Sequence, residues 1–166
     1  RIPDAFFDAL PALRKKTGGF SELMFWGGEL TDLPDRLREL APDLKKLTIA
    51  YLKLTEIPDV VFELKNLEEL YIREDGITDI SPKISKLKKL RSLSLSDCKK
   101  LKKLPPAVCE LEQLEYLGLS FARFSTLPPE IKRLAKLKEL YLQSSKLRKL
   151  PPEIGELPKL KKLTVR

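Results

Sequence analysis

Glu68, Glu69 and Glu74 are the nearest this chain comes to a general acid-base pair, and nothing around them completes one. Paired carboxylates do such work when a pocket drives their pKa values apart and a reacting group stands within hydrogen-bond reach. These three lie in a charged stretch with no sign of a pocket. Histidine is absent from all 166 residues, which removes the commonest general base, the commonest metal ligand and every Ser-His or Cys-His nucleophile pair. Cys98 and Cys109 are too few for a zinc site or for a disulfide-built secreted scaffold. The sequence therefore predicts no enzyme, no catalytic residue, no metal and no cofactor, and it favours an intracellular, cytoplasmic location.

The chemistry that remains is recognition. Trp, Tyr and Arg dominate protein interfaces because they bury large area at low entropic cost and keep a polar handle. Here the candidates are Trp26, Tyr51, Tyr71, Arg73, Tyr116, Phe121, Tyr141 and Gln143. What places them is a repeat. Segments written L-x-x-L-x-L start at Phe20, Leu44, Leu67, Leu90, Leu114, Leu137 and Leu160, a period of 23 or 24 residues. Such a period implies stacked coils instead of a closed core.

Inside each unit the fourth and sixth residues are apolar, as in Leu47 and Ile49 or Leu140 and Leu142, so each unit opens with a short strand of two-residue period. Another apolar residue follows (Leu30, Leu54, Ile77, Leu101, Phe124, Leu147), then a leucine or isoleucine usually ahead of proline, as in Leu104-Pro105 and Leu127-Pro128. Proline stops the strand and suits the first turn of a helix. Ile131 and Leu134 then lie on the inward stripe of a short helix or 3-10 stretch. No coil buries its leucines alone; stacking does, at about 1.5 to 3 kcal/mol for each one.

The pattern L-x-x-L-x-L-x-x-x-x-L-x-x-L-P-x-x-I-x-x-L resembles the 23-residue leucine-rich repeat of intracellular proteins. It runs from about residue 20 to 166 and is clearest in LEYLGLSFARFSTLPPEIKRL at 114 to 134 and LKELYLQSSKLRKLPPEIGEL at 137 to 157. Similar units occur in Ras-group scaffolds, bacterial effectors and plant disease-resistance proteins; LRSLSLSDCKKLKKLP at 90 to 105 is most like the plant type. The resemblance implies an α/β, right-handed leucine-rich-repeat solenoid of about seven coils. A concave parallel sheet lines its inside and short helical or 3-10 segments its convex side. It also implies a protein-binding module. The family's ninth position is usually an asparagine that satisfies backbone groups at the bend. Here it reads Gly28, Leu52, Asp75, Cys98, Ala122 and Ser145, so irregular turns are expected.

In that frame the third, fifth and seventh strand positions face solvent on the concave side. They carry Trp26, Tyr71, Arg73, Tyr116, Tyr141 and Gln143, and the eighth position, at the strand exit, carries Tyr51 and Phe121. The aromatic residues that could bind a protein thus collect on one face while leucine and isoleucine build the spine.

Charge is uneven. Residues 1 to 82 hold 11 Lys+Arg against 16 Asp+Glu, and residues 83 to 166 hold 21 against 8. The basic half, largely at bends and convex segments, reads first as a solvated lysine coat that keeps a leucine-rich solenoid soluble, and next as a surface for an acidic region in a protein partner. Nucleic acid or anionic membrane is the weaker alternative, because the aromatics are not interleaved with the lysines. Another alternative is a sensor or targeting domain of a larger signalling receptor or effector enzyme. Met24 is the one methionine, which leads us to expect a piece of a longer protein. No apolar run approaches the roughly 20 residues of a transmembrane helix. Residues 1 to 19 read as a degenerate partial repeat with a linker at Lys15 to Gly19. Neither end looks capped, so end-to-end self-association through the termini is expected.

Overall fold

A computed structural model of the chain describes residues 4–143 and 145–165. Each predicted unit opens with a strand: β1 (Glu22–Trp26), β2 (Lys46–Ala50), β3 (Glu69–Arg73), β4 (Ser92–Ser94), β5 (Tyr116–Gly118), β6 (Glu139–Leu142) and β7 (Lys162–Val165). They form one parallel sheet in strict chain order. The pairing puts like on like, with Leu47, Leu70, Leu93, Leu117, Leu140 and Leu163 opposite one another across successive strands. These leucines are fully buried in β2 to β6. The repeat spacing read from the sequence is therefore the register of the sheet.

β4 and β5 are only three residues long, yet the ladder continues past them: Leu95 N–H donates to Gly118 O at 2.8 Å and Leu119 N–H to Tyr141 O at 2.8 Å. The far side of the solenoid is made of 3-10 turns at Asp59–Glu63, Pro82–Lys86, Pro106–Glu110, Pro129–Arg133 and Pro152–Glu156, with one short α-helical turn, α2 (Leu37–Leu40). Proline opens four of the five 3-10 turns, because its fixed φ suits a first helical turn and its missing N–H ends the extended segment. Ile84, Val108, Ile131 and Ile154 point from these turns into the core.

The N-terminal end differs from the sequence expectation. Asp4–Thr17 form one α-helix, α1, which runs through the stretch read as a linker as far as Thr17. Its Phe7 and Leu10, three residues apart on one face, are buried, and the Phe7 ring lies 6.1 Å from Phe25 of β1. The first coil is therefore covered, which corrects the expectation that this end is uncapped. Gly18 ends the helix, with φ at 81° and its N–H bonded to Arg14 O at 2.9 Å; a left-handed glycine is the usual way to close a helix.

Candidate protein-recognition face

Buried and solvent-facing residues alternate in β1, β3, β4 and β6, and in β2 and β5 the small Ala50 and Gly118 are buried as well; the third, fifth and seventh columns line one face of the sheet. Of the eight residues singled out from the sequence, Trp26, Tyr51, Arg73 and Phe121 are exposed, while Tyr71, Tyr116, Tyr141 and Gln143 are half-buried. The structure gathers six of them around three tyrosine-centred contacts.

In the first coils the Trp26 and Tyr51 rings meet edge to face, 4.9 Å between centroids. The Arg73 guanidinium lies 6.0 Å over the Tyr51 ring and donates to its hydroxyl at 3.3 Å, while Arg73 Nε pairs with Asp97 Oδ2 at 3.0 Å. Toward the other end Tyr116 and Tyr141 stack at 5.2 Å, tilted by 38°. Lys162 sits 5.0 Å from the Tyr141 ring, and the Tyr141 hydroxyl donates to Glu139 Oε2 at 2.6 Å. Tyr71 lies between the two groups. Its hydroxyl donates to Glu69 Oε2 at 2.9 Å and accepts from Ser92 at 3.2 Å. Burial raises the pKa of Tyr71 and of Tyr116 above the ordinary phenol value, so both are neutral donors at physiological pH.

A hollow of about 120 Å³ opens between these groups, lined by Trp26, Thr48, Tyr71, Arg73, Ser94 and Ser96 among others. Farther along the sheet Gly118 leaves room beside Tyr116: a Cβ there would come 3.1 Å from Ser94 Oγ and 3.1 Å from the Tyr116 ring. Phe121 and Gln143 stand apart at the strand exit, joined only through the backbone, where Phe121 N–H donates to Gln143 O at 2.7 Å.

The eighth position has a geometry the sequence did not announce. Gly27, Tyr51, Asp97 and Phe121 all take positive φ, between 54° and 67°. That conformation is uncommon for a residue with a Cβ, and it marks the bend that presents Tyr51 and Phe121 along the rim. The third coil has Glu74 there instead. Its side chain turns inward, is 2% exposed, and its Oε1 accepts from Leu52 N–H at 2.6 Å. One carboxylate thus does, at a single bend, what the family's asparagine does in every coil, and burial raises its pKa. Gly76 completes this bend, since any Cβ there would lie 2.1 Å from Leu54 O. Glu74 also lines a groove of about 520 Å³ with Tyr51, Arg73, Asp75, Asp97 and Lys99, which corrects the expectation that it borders no pocket.

Asp97, Glu139 and Lys162, which the sequence puts on this face or its rim without singling them out, contact the aromatic residues or Arg73. Cys98 and Cys109 are free and buried, Cys98 at a bend and Cys109 in a 3-10 turn. Burial pushes their thiols up to about 11 and about 12, so neither is a ready nucleophile. Among the described residues no cluster of His, Cys, Asp and Glu could hold a metal ion.

A family model described as a leucine-rich repeat region matches residues 74–166, and a second, leucine rich repeat, matches residues 42–99. The chain belongs to the leucine-rich-repeat family. Among solved structures, this leucine-rich-repeat chain is similar to the leucine-rich-repeat domain of the type III effector XopL, at 30% identity and TM-score 0.83, covering 98% of this chain and 55% of that one. It is similar to a leucine-rich-repeat protein of Leptospira interrogans at 26% identity and TM-score 0.62, covering 89% and 50%. An internalin of Listeria monocytogenes shares the fold, at 22% identity and TM-score 0.71, covering 89% and 43%. The chain spans about half the length of these solved chains. No curated protein matches significantly by sequence. Leucine-rich-repeat domains are in general protein-protein interaction modules and non-catalytic scaffolds. No helix among the described residues is long and apolar enough to cross a membrane.

Proposed function

We propose that the chain recognises a protein partner on its concave face, in an intracellular setting. The observation that carries this reading is the preorganisation of the exposed aromatics. Trp26 is 60% and Tyr51 50% exposed, yet ring stacking and the Arg73–Asp97 pair hold Tyr51 in place, while Glu139 and Lys162 hold Tyr141. Side chains that are already ordered lose less entropy on binding. A face kept polar merely for solubility needs no such bracing.

The test is binding by purified variants. Alanine at Tyr71, Arg73, Tyr116 or Tyr141 is expected to weaken the complex by about 1 to 3 kcal/mol each and to leave the thermal midpoint nearly unchanged. Partner capture by affinity pull-down supplies the ligand and calorimetry the affinities. Unchanged affinity in all four variants would overturn the reading.

A sensor or targeting role within a larger receptor or effector is compatible with the same face, and the likeness to the effector's repeat domain favours it. The expected end-to-end self-association finds no open coil at the N-terminal side, where α1 covers the first coil. An acidic partner finds little complementarity on the sheet itself. Among the described residues Glu22, Glu69 and Glu139 there balance Lys46, Arg73 and Lys162, and Asp97 adds an acid at the bend beyond β4. The excess positive charge lies elsewhere.

A further inference from the structure

Each coil leaves the sheet through a bend that displays two exposed side chains between its two apolar positions. In the first three coils these are Thr31-Asp32, Thr55-Glu56 and Thr78-Asp79; in the next three they are Lys102-Lys103, Ser125-Thr126 and Arg148-Lys149. The row is acidic and then basic, and the change falls between coils three and four. Asp32 and Asp79 are fixed in place, each accepting from the following N–H at 2.8 Å. Beside the basic half, two residues earlier in each coil, run Lys100, Arg123 and Lys146. Arg123 N–H donates to Leu101 O at 3.1 Å, which stacks this row coil on coil.

The opposite flank, where the chain enters the sheet, is a control built into the molecule. It also carries many cations, but they are interleaved with acids. Arg91 and Lys138 both grip Glu115, at 2.6 and 2.5 Å, and Lys45 pairs with Glu68 at 3.2 Å. These pairs pull the Glu115 carboxyl below its ordinary pKa. On the exit flank the pairs at this end of the row, among the described residues, are Arg73 with Asp97 at 3.0 Å and Lys99 with Asp75 at 3.5 Å. Among the described residues Lys102, Lys103, Arg123, Arg148 and Lys149 form no ion pair. Ser125 and Thr126 stand between the two cationic pairs and offer hydroxyl donors to an anion held there.

We propose that the exit flank of coils four to six docks a short acidic segment of a protein partner, a run of Asp and Glu residues. This is a second surface and does not depend on the concave-face reading. Size and sign select the occupant. Neighbouring coils are about 4.8 Å apart, so three coils match about three to five residues of extended chain at roughly 3.3 Å each. A longer polyanion or a planar anionic membrane would continue across coil three and meet Asp79 and then Glu56, where like charge repels it. A short run of carboxylates ends before that boundary.

The probe is a fluorescein-labelled hexaglutamate peptide, read by anisotropy at about 50 mM salt, where surface charge is least screened. Lys102, Lys103, Arg148 and Lys149 changed together to glutamate should weaken binding by about tenfold or more. Lys88, Lys89, Lys136 and Lys161 on the entry flank, changed in the same way, alter net charge equally and should weaken it by less than about threefold. Equal losses would overturn the proposal in favour of bulk charge. It is also overturned if a labelled hexathymidylate or phosphatidylserine vesicles bind more tightly than the peptide through the exit-flank residues. Sedimentation of the free protein as a dimer that the exit-flank changes dissolve would make the Asp32, Glu56 and Asp79 row of a second copy the occupant, and would overturn it too. All eight positions are exposed, and matching thermal melts establish that both quadruple variants are folded.

Discussion

The two aromatic groups stand on one repeat but in different columns, the seventh and eighth for Trp26 and Tyr51 and the third and fifth for Tyr116 and Tyr141, and they differ in how they are held. The Trp26–Tyr51 pair stands at the rim, half or more exposed, and is braced from the side by Arg73, which itself leans on Asp97. The Tyr116–Tyr141 pair lies lower, half-buried over Gly118, with one hydroxyl tied to Glu139 two residues earlier on its own strand. The rim group is thus braced by side chains alone, an edge-to-face ring contact and a cation over the Tyr51 ring. The Tyr116 ring is seated beside a residue without a side chain. The repeat therefore supplies positions, and the residues next to those positions decide how an aromatic is held.

Both groups stand on one spine, and removing the spine should abolish the contrast altogether. Leu117→Asp or Leu140→Asp, beneath the second group, places an unpaired carboxylate among fully buried leucines. The expected cost is several kcal/mol, enough to unfold much of the array by circular dichroism. Lys102→Asp on an exposed bend should shift stability by no more than about 0.5 kcal/mol. Equal melting temperatures for the two classes would refute the register.

A milder change should separate the two groups. Phe7→Ala removes a buried ring of α1 that packs on Phe25, directly behind the first strand. We expect about 3 kcal/mol of destabilisation, concentrated in the first coils because a solenoid transmits stability mainly between neighbours. Hydrogen exchange should rise in β1 and β2 and stay unchanged in β5 and β6. Uniform acceleration along the chain would show that the coils unfold as one unit.

The spine was legible in the sequence because inward leucines recur with a fixed period and nothing else satisfies that period. The solvent columns were legible for the same reason, once the register was known. What escaped were features set by single residues. Helix α1 was obscured by Pro11 and by two glycines that look like a linker, although Phe7, Leu10 and a glycine after a basic last turn are the marks of a capped helix. Glu74 reads as one more solvated acid, and only the glycine two residues later hints at a tight bend. The pairing of Arg73 with Asp97 and of Lys162 with Tyr141 joins neighbouring coils through long side chains, whose rotamers no periodic pattern specifies.

Glu74 offers a pH test beneath the rim group. Burial raises its folded pKa, so the folded chain keeps a proton at a pH where the unfolded chain has lost it. Stability from this group is therefore greatest in acid and falls as pH rises from the ordinary carboxylate value, about 4.3, through the raised one. Glu74→Gln keeps an oxygen to accept from Leu52 N–H and removes the titration. Denaturant melts should show the variant gaining on the wild-type chain as pH rises from about 4.3 through the raised value. A constant difference across that range would mean the carboxyl is not desolvated.

The smallest change asks whether the lower group owes its fixity to one missing side chain. Gly118→Ala adds a single methyl whose carbon would stand 3.1 Å from Ser94 Oγ, from Tyr116 Cε1 and from Tyr116 Oη. Those contacts are tighter than van der Waals distance, so something must yield. Gly118 has no positive φ, so the backbone accepts alanine, and the serine rotamer and the tyrosine ring can move by a few tenths of an ångström. Stability should therefore change by less than about 1 kcal/mol. The ring shift alters the Tyr116–Tyr141 stack, and partner affinity is expected to drop, by an amount approaching that of Tyr116→Ala. Trp26 and Tyr51, four and three strands away, keep their geometry, and Trp26 fluorescence reports that directly. If affinity holds while the melt is unchanged, Tyr116 is no anchor. The rim group would then carry recognition by itself.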